Sequence, residues 1–167
     1  MSLLSRLTGL LRKQSPMLSV SVKLRAARYF VVTIHGCDGS DPCIAAGPVA
    51  VLPLAASHEE LGSAIVQGLQ RTTHNYPYPA NKEQWSQVTQ ALLSAAGCKS
   101  WAAFAKLASD LRVDQTAEQV CVLPCIREKT SFIPVAGREI RLTSPSVQEL
   151  GAAVATELAL AAQRDGT

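Results

Sequence analysis

At 167 residues and a net charge of +3, the chain is of single-domain size and can bury about 70% of the surface its unfolded form exposes without disulfide or metal staples. The small, dispersed excess of Lys and Arg forms no basic tract and no aromatic–basic stripe, which argues against direct nucleic-acid binding. Every apolar stretch is broken by Gly, Pro, Ser or a charge well short of the ~18 residues a membrane helix needs, so no membrane span is expected.

Five cysteines, an odd count at irregular spacing, follow a start that lacks the small-residue cleavage site of a signal peptide. Reduced thiols and a cytoplasmic location are expected. Leu3, Leu4, Leu7, Leu10 and Leu11 recur at helical spacing with Arg6, Arg12 and Lys13 outside the stripe. Residues 1–14 are therefore expected as a short amphipathic helix or mobile arm, ended by Ser15-Pro16, ahead of a single domain over 17–164.

Residues 18–24 alternate Leu-Ser-Val-Ser-Val-Lys-Leu, the pattern of a strand with one wet face. A hairpin turn at 25–28 leads into Tyr29-Phe-Val-Val-Thr-Ile-His35, apolar on both faces and so more central. The loop Gly36-Cys-Asp-Gly-Ser-Asp-Pro-Cys43 precedes an apolar strand at 48–54. Then Ser57-His-Glu-Glu-Leu-Gly-Ser-Ala begins a helix that runs to about Arg71, and the same signature returns as Ser146-Val-Gln-Glu-Leu-Gly-Ala-Ala. Ser three residues before Glu is a capping box, in which each side chain satisfies an amide of the first turn. Gly62 and Gly151 fall inside these helices, where glycine costs about 1 kcal/mol relative to alanine, so a close backbone approach is expected at each. The two strand-to-helix units suggest pseudo-equivalent halves.

Between them lie an irregular loop at 72–81 stiffened by Pro77 and Pro79, and a helix over 82–96 with Trp85, Val88, Leu92 and Leu93 inward and Gly97 as C-cap. A helix capped by Ser100 over 101–109 follows, with Trp101 and Phe104 on one face. Strands are expected at 117–126, 131–135 and 139–143, the first two joined by a polar hairpin tip at 127–130; Pro124 argues for an edge or a bulge in the first of them. The pattern predicts an α+β fold, a mainly antiparallel sheet of about six strands with helices packed on its faces.

The densest group of reactive side chains is His35, Cys37, Asp38, Asp41 and Cys43. As a zinc site it has the wrong spacing and no second cysteine pair, and as a Cys37 nucleophile with His35 as base it lacks a third, orienting group. A tight loop whose aspartates cap turns and whose cysteines pack as small apolar groups accounts for it better. No catalytic residue, metal ligand or cofactor site is expected; a small cytosolic enzyme or metal-binding module built on His35, Cys37 and Cys43 is the alternative. Tyr76 and Tyr78 on a stiff loop have the character of a binding surface, since tyrosine offers large contact area for little lost entropy.

The Tyr29-Phe-Val-Val strand running into a Gly/Asp/Pro loop, the strand followed by Ser-x-x-Glu-Leu-Gly-x-Ala, the Gly97-Cys-Lys-Ser-Trp101 junction and the closing Glu149-Leu-Gly-Ala-Ala153 helix together resemble one family of bacterial immunity proteins. These belong to contact-dependent growth inhibition systems, and the likeness runs from about residue 18 to 162. The resemblance implies a cytoplasmic, non-enzymatic protein that forms a heterodimer with the C-terminal toxin domain of a large CdiA-type exoprotein, commonly a nuclease, and blocks it. It carries over no catalytic residues. The mildly basic balance departs from the acidic patch that would complement a nuclease active site. Asp38 and Asp41 in the first loop, Tyr76 and Tyr78 in the stiff loop, and Arg127, Glu128 and Lys129 at the hairpin tip are the expected toxin-binding residues.

Overall fold

The computed structural model describes residues 16–37 and 41–165; the expected N-terminal helix at 1–14 and Asp38 lie outside them. The first hairpin joins β1 (Leu18–Arg25) to β2 (Arg28–Gly36) through Ala26 and Ala27. Both alanines have positive φ, 49° and 55°, the conformation a two-residue type I′ turn requires and glycine or asparagine usually supplies. Strand β3 (Pro42–Pro53) pairs antiparallel with β2, but its register shifts between Val32 and Ile34. There Ala46, Gly47 and Pro48 stand against Thr33 alone, and Gly47 takes the φ of +89° that the bulge needs.

Three helices follow: α1 (His58–Gln70), α2 (Lys82–Ala96) and α3 (Trp101–Ala105). The sheet then resumes with β4 (Ser109–Gln115), β5 (Val120–Glu128), β6 (Ser131–Pro134) and β7 (Ile140–Leu142), and α4 (Val147–Asp165) closes the described chain. The strands form one seven-stranded sheet in the order β3-β2-β1-β4-β5-β6, with β7 also on β5. All its pairings are antiparallel. Helices cover both faces. On one, Val20, Val22, Val31, Leu111, Val113 and Val122 pack against Leu61, Ile65 and Leu69 of α1 and Leu150, Val154 and Leu158 of α4. On the other, Phe30 and Val32 pack against Leu92, Leu93 and Ala96 of α2 and Phe104 of α3.

Both capping boxes form. The Ser57 and Ser146 amides donate to Glu60 and Glu149 at 2.7 Å, and the glutamate amides donate back to the serine Oγ atoms at 3.2 Å. The two internal glycines have the expected close approach, and it is reciprocal. A Cβ on Gly62 would lie 1.9 Å from the Val147 carbonyl oxygen, and one on Gly151 would lie 1.8 Å from the His58 carbonyl oxygen. Each repeat therefore places its fifth residue after the cap against the first helical carbonyl of the other.

Several local expectations need correction, among them the wet face of the first strand: Ser19, Ser21 and Lys23 are buried. The helix at Trp101 ends at Ala105 instead of 109, and β4, unforeseen, occupies a central place between β1 and β5. Its inner face offers Leu111 and Val113, while its second face carries Asp110, Arg112 and Asp114, whose partners are on β1 and on β4 itself: Ser21 and Lys23 bond Asp110, and Ser19 and Arg112 bond Asp114. Pro124, expected at an edge or a bulge, sits in an interior strand, at the point where the pairing on one side changes partner. Its carbonyl accepts from the Val135 amide, so its missing N–H points to the same side, where β5 passes from pairing with β7 at Val120–Val122 to pairing with β6 at Cys125–Glu128. Trp85, expected inward, is 41% exposed.

Candidate interaction surface

The stiff loop after α1 is fastened across the end of β2. The Gly36 amide donates to the Thr73 carbonyl at 2.7 Å and its carbonyl accepts from the Tyr76 amide at 3.0 Å, so residues 73–76 run beside the strand end as a short extension of it. His35, 8% exposed, completes the attachment: its Nδ1 accepts from the Thr73 amide at 3.2 Å, and its ring stacks on Tyr76 at 4.8 Å and 17°. An Nδ1 that accepts an N–H leaves the proton of the neutral ring on Nε2. Burial lowers the His35 pKa, opposed by a backbone hydrogen bond at Ala46. This histidine is a fastening, held by Thr73 and Tyr76.

Beyond that anchor, Tyr78 is 62% exposed and meets Trp85 of α2 edge to face, ring centroids 5.7 Å apart at 90°. Beside them a cavity of about 280 Å³ opens between α2 and the sheet, walled by Val32, Ile44, Val49, Trp85, Leu92 and Trp101, with Lys23 and Cys43 also lining it. Large rings held by each other at the rim of an apolar recess are what a partner's anchor residues fill, because little side-chain entropy remains to be lost. Trp85 was assigned to the core from its helical spacing with Val88 and Leu92; its place at the exposed start of a helix that follows a Tyr/Pro loop was the available signal for its exposure.

The loop before β3 is shorter than expected, since β3 begins at Pro42. Asp41 is exposed beside it. Cys37 is buried as expected, whereas Cys43 is exposed, with its thiol 3.8 Å from that of Cys37. Among the described residues no group of three or more His, Cys, Asp and Glu is placed to hold a metal ion.

At the β5–β6 tip, Lys129 takes the turn with φ 56°. Arg127 is committed to structure: its guanidinium donates to the carbonyls of Ala105, at 3.0 Å, and Lys106, the orphan acceptors at the end of α3. Glu128 and Lys129 are exposed. Near them the cross-strand pair Ile126 and Ile133 is 50% and 42% exposed, and a shallow depression of about 340 Å³ is lined by Leu54 and Leu107 with Arg25, Lys106 and Arg127 among its neighbours.

No protein-family model matches the chain, and no curated protein is similar to it. Solved structures match it, two of them over nearly their whole length. A protein of unknown function from Neisseria meningitidis superposes with a TM-score of 0.72 at 17% identity, over 89% of this chain and 97% of that one. A chain of the CdiA-CT/CdiI toxin and immunity complex from Yersinia pseudotuberculosis superposes with a TM-score of 0.69 at 18% identity, over 91% of this chain and 99% of that one. The chain has their fold.

Within this fold the six described residues of the seven expected at an interface do not gather in one place. Asp41, Tyr76 and Tyr78 belong to the sheet end where Gly36 pairs with Pro42. Arg127, Glu128 and Lys129 belong to the opposite end, where Arg127 reaches the α3 terminus just before Ser109, the partner of Leu24. Asp38 is outside the described residues.

Proposed function

We propose that this chain is an immunity protein, a non-enzymatic cytoplasmic inhibitor that binds and neutralises a cognate CdiA-type C-terminal toxin domain, with a nuclease as the expected toxin class. The observation that carries the reading is the fold shared over 91% of the chain with a member of a toxin and immunity complex. The toxin-facing surface proposed here is centred on Tyr78 and Trp85 and the cavity beside them, with Tyr76 and Asp41 at its margin. It is the patch where exposed aromatic rings adjoin an apolar recess, and complementarity of that kind makes a hot spot. Glu128 and Lys129, with Arg127 behind them, form a second, more polar candidate.

The test is binding and rescue. The toxin domain encoded immediately upstream is titrated by calorimetry and co-expressed with this chain in the same cells. Nanomolar binding, about −12 kcal/mol, with restored growth is the expected result. Failure of both binding and rescue refutes the reading.

A further inference from the structure

Two thiols meet where β2 gives way to β3. Cys37 directly follows β2 and is 5% exposed; Cys43 is the second residue of β3 and is open to solvent. Their Sγ atoms are 3.8 Å apart, with the Cys43 thiol directed at Cys37. Cys43 is the extra residue where the register shifts between the His35–Ile44 and Gly36–Pro42 pairings, which leaves its side chain beside that of Cys37. Of the other three cysteines, Cys98 and Cys125 are engaged differently. The Cys98 thiol turns to the Ala96 carbonyl and the Cys125 thiol to the Leu123 carbonyl. Burial, with the Asp110 carboxylate adding to it, pushes the Cys125 thiol up to about 12, which keeps it protonated and unreactive.

We propose that Cys37 and Cys43 are a dithiol that closes to an intramolecular disulfide on exposure to a small-molecule disulfide such as glutathione disulfide. Exposure divides the roles. The Cys43 thiolate attacks one sulfur of glutathione disulfide; that S–S bond breaks and one glutathione leaves as thiolate, taking up a proton. Cys37 then loses its proton and attacks Cys43 Sγ, forming the Cys37–Cys43 bond and expelling the second glutathione, which takes up a proton in turn. Two protein thiols are oxidised and one glutathione disulfide is reduced to two thiols. Closure requires the sulfurs to approach from 3.8 Å to about 2.05 Å, a movement shared between two side chains. The buried Cys37 meets Cys43 before any solvent molecule, so the mixed disulfide is resolved internally.

The same cross-link reaches the candidate surface. Cys43 lines the cavity beside Trp85, while Cys37 packs with Ile44 and Ala46 near Tyr76. Oxidation therefore draws the Cys43 sulfur from the cavity wall toward the Tyr76 anchor. The chemistry itself does not depend on the immunity reading.

The full chain is incubated with glutathione disulfide at neutral pH, its remaining thiols are counted by alkylation, and its peptides are mapped by mass spectrometry. The expected result is loss of two thiols, no retained glutathione, and a Cys37–Cys43 linked peptide. In Cys37→Ala the glutathione stays on Cys43, and in Cys43→Ser no thiol is lost at position 37. Glutathione persisting on Cys43 of the unsubstituted chain, a bridge through another cysteine, a chain-to-chain dimer, or no loss of thiols would each overturn the proposal. The mapping of the unsubstituted chain decides the matter even where a variant fails to fold.

Discussion

Lys23 and Asp110 carry opposite charges in a site almost closed to water, their side chains 4% and 8% exposed and 2.7 Å apart. The second carboxylate oxygen of Asp110 accepts from Ser21 at 2.6 Å, and the ammonium lies 4.8 Å from the Phe132 ring and 5.5 Å from that of Trp101. Partnered in this way the pair is tolerated, but deleting one member leaves the other buried and uncompensated. Asp110→Ala is expected to lower stability by about 3–5 kcal/mol, read as a fall in the urea midpoint. A loss under about 1 kcal/mol, the value of an exposed pair, would show that water reaches Lys23. His35 gives a pH dependence of known sign. Burial depresses its folded pKa, so the unfolded chain binds the additional proton. Its contribution is complete above the unfolded value of about 6.5 and is lost as pH falls through the folded value. Protonation would also remove the Nδ1 lone pair that accepts from Thr73. Urea midpoints should therefore fall on acidification below about pH 6.5, and His35→Phe, which can keep a ring on Tyr76, should flatten that part of the profile. An unchanged slope in the variant would remove His35 from the account. Glu60 and Glu149 belong to a lower window, since hydrogen bonds from Ser57 and Ser146 hold their carboxyls below the ordinary range.

The crossing of α1 and α4 sets two helix effects against each other. Alanine at Gly62 or Gly151 gains about 1 kcal/mol of helix propensity. The new Cβ, however, lands inside van der Waals contact of a carbonyl oxygen, at 1.9 or 1.8 Å, and only separation of the helices relieves it. Overpacking costs of about 1–3 kcal/mol or more should prevail, so both variants are expected to unfold at lower urea. The double variant should lose less than the sum, because helices already parted by one methyl admit the second. Gly97→Ala isolates backbone strain: its φ is +67° with no atom within 4 Å, and about 1–2 kcal/mol is expected there. A stabilised Gly62→Ala would contradict the close crossing. These glycines were legible in the sequence because a capping box is local, and α2 was legible for the same reason, from Asn81 at its N-cap to Gly97 at its C-cap. Strand β4 was not legible. Its polar face satisfies itself largely through Ser19, Ser21 and Lys23, some 90 residues away, and no window of sequence contains those partners. The candidate surface was legible in part: loop composition named Tyr76 and Tyr78, but the bonds from Gly36 that make one an anchor and leave the other exposed are nonlocal. Trp85 was misplaced because helical spacing says which side a ring leaves, and not where the sheet beneath it ends.

Tyr78 and the Glu128–Lys129 tip lie toward opposite ends of the sheet, but the cavity beside Trp85 extends to Trp101, whose indole N–H donates to the Thr130 carbonyl at that tip. Strand β1 has eight residues, roughly 25 Å at ~3.3 Å per residue, while a standard interface covers about 800 Å² per partner, a patch of about that same width. A toxin domain centred on Tyr78 and Trp85 covers the recess as far as Trp101 and has Glu128 and Lys129 toward its rim. Fully desolvated aromatic anchors at the centre of an interface act on dissociation, whereas rim charges act on association. Tyr78→Ala or Trp85→Ala is expected to cost about 2 kcal/mol or more, seen as faster dissociation from the toxin domain. Glu128→Ala and Lys129→Ala should change the affinity by no more than about twofold, within the range typical of exposed charges. The net charge of +3 extends the same reasoning to salt. With little long-range field to steer the encounter, the association rate should change only weakly as added salt shortens the Debye length from ~30 Å at 0.01 M to ~8 Å at 0.15 M. Surface plasmon resonance across that range, with the four variants, separates the alternatives. A steep salt dependence, with loss of binding on substitution at Glu128 and Lys129 and none at Tyr78 and Trp85, would move the interface to the hairpin tip while leaving the immunity assignment intact.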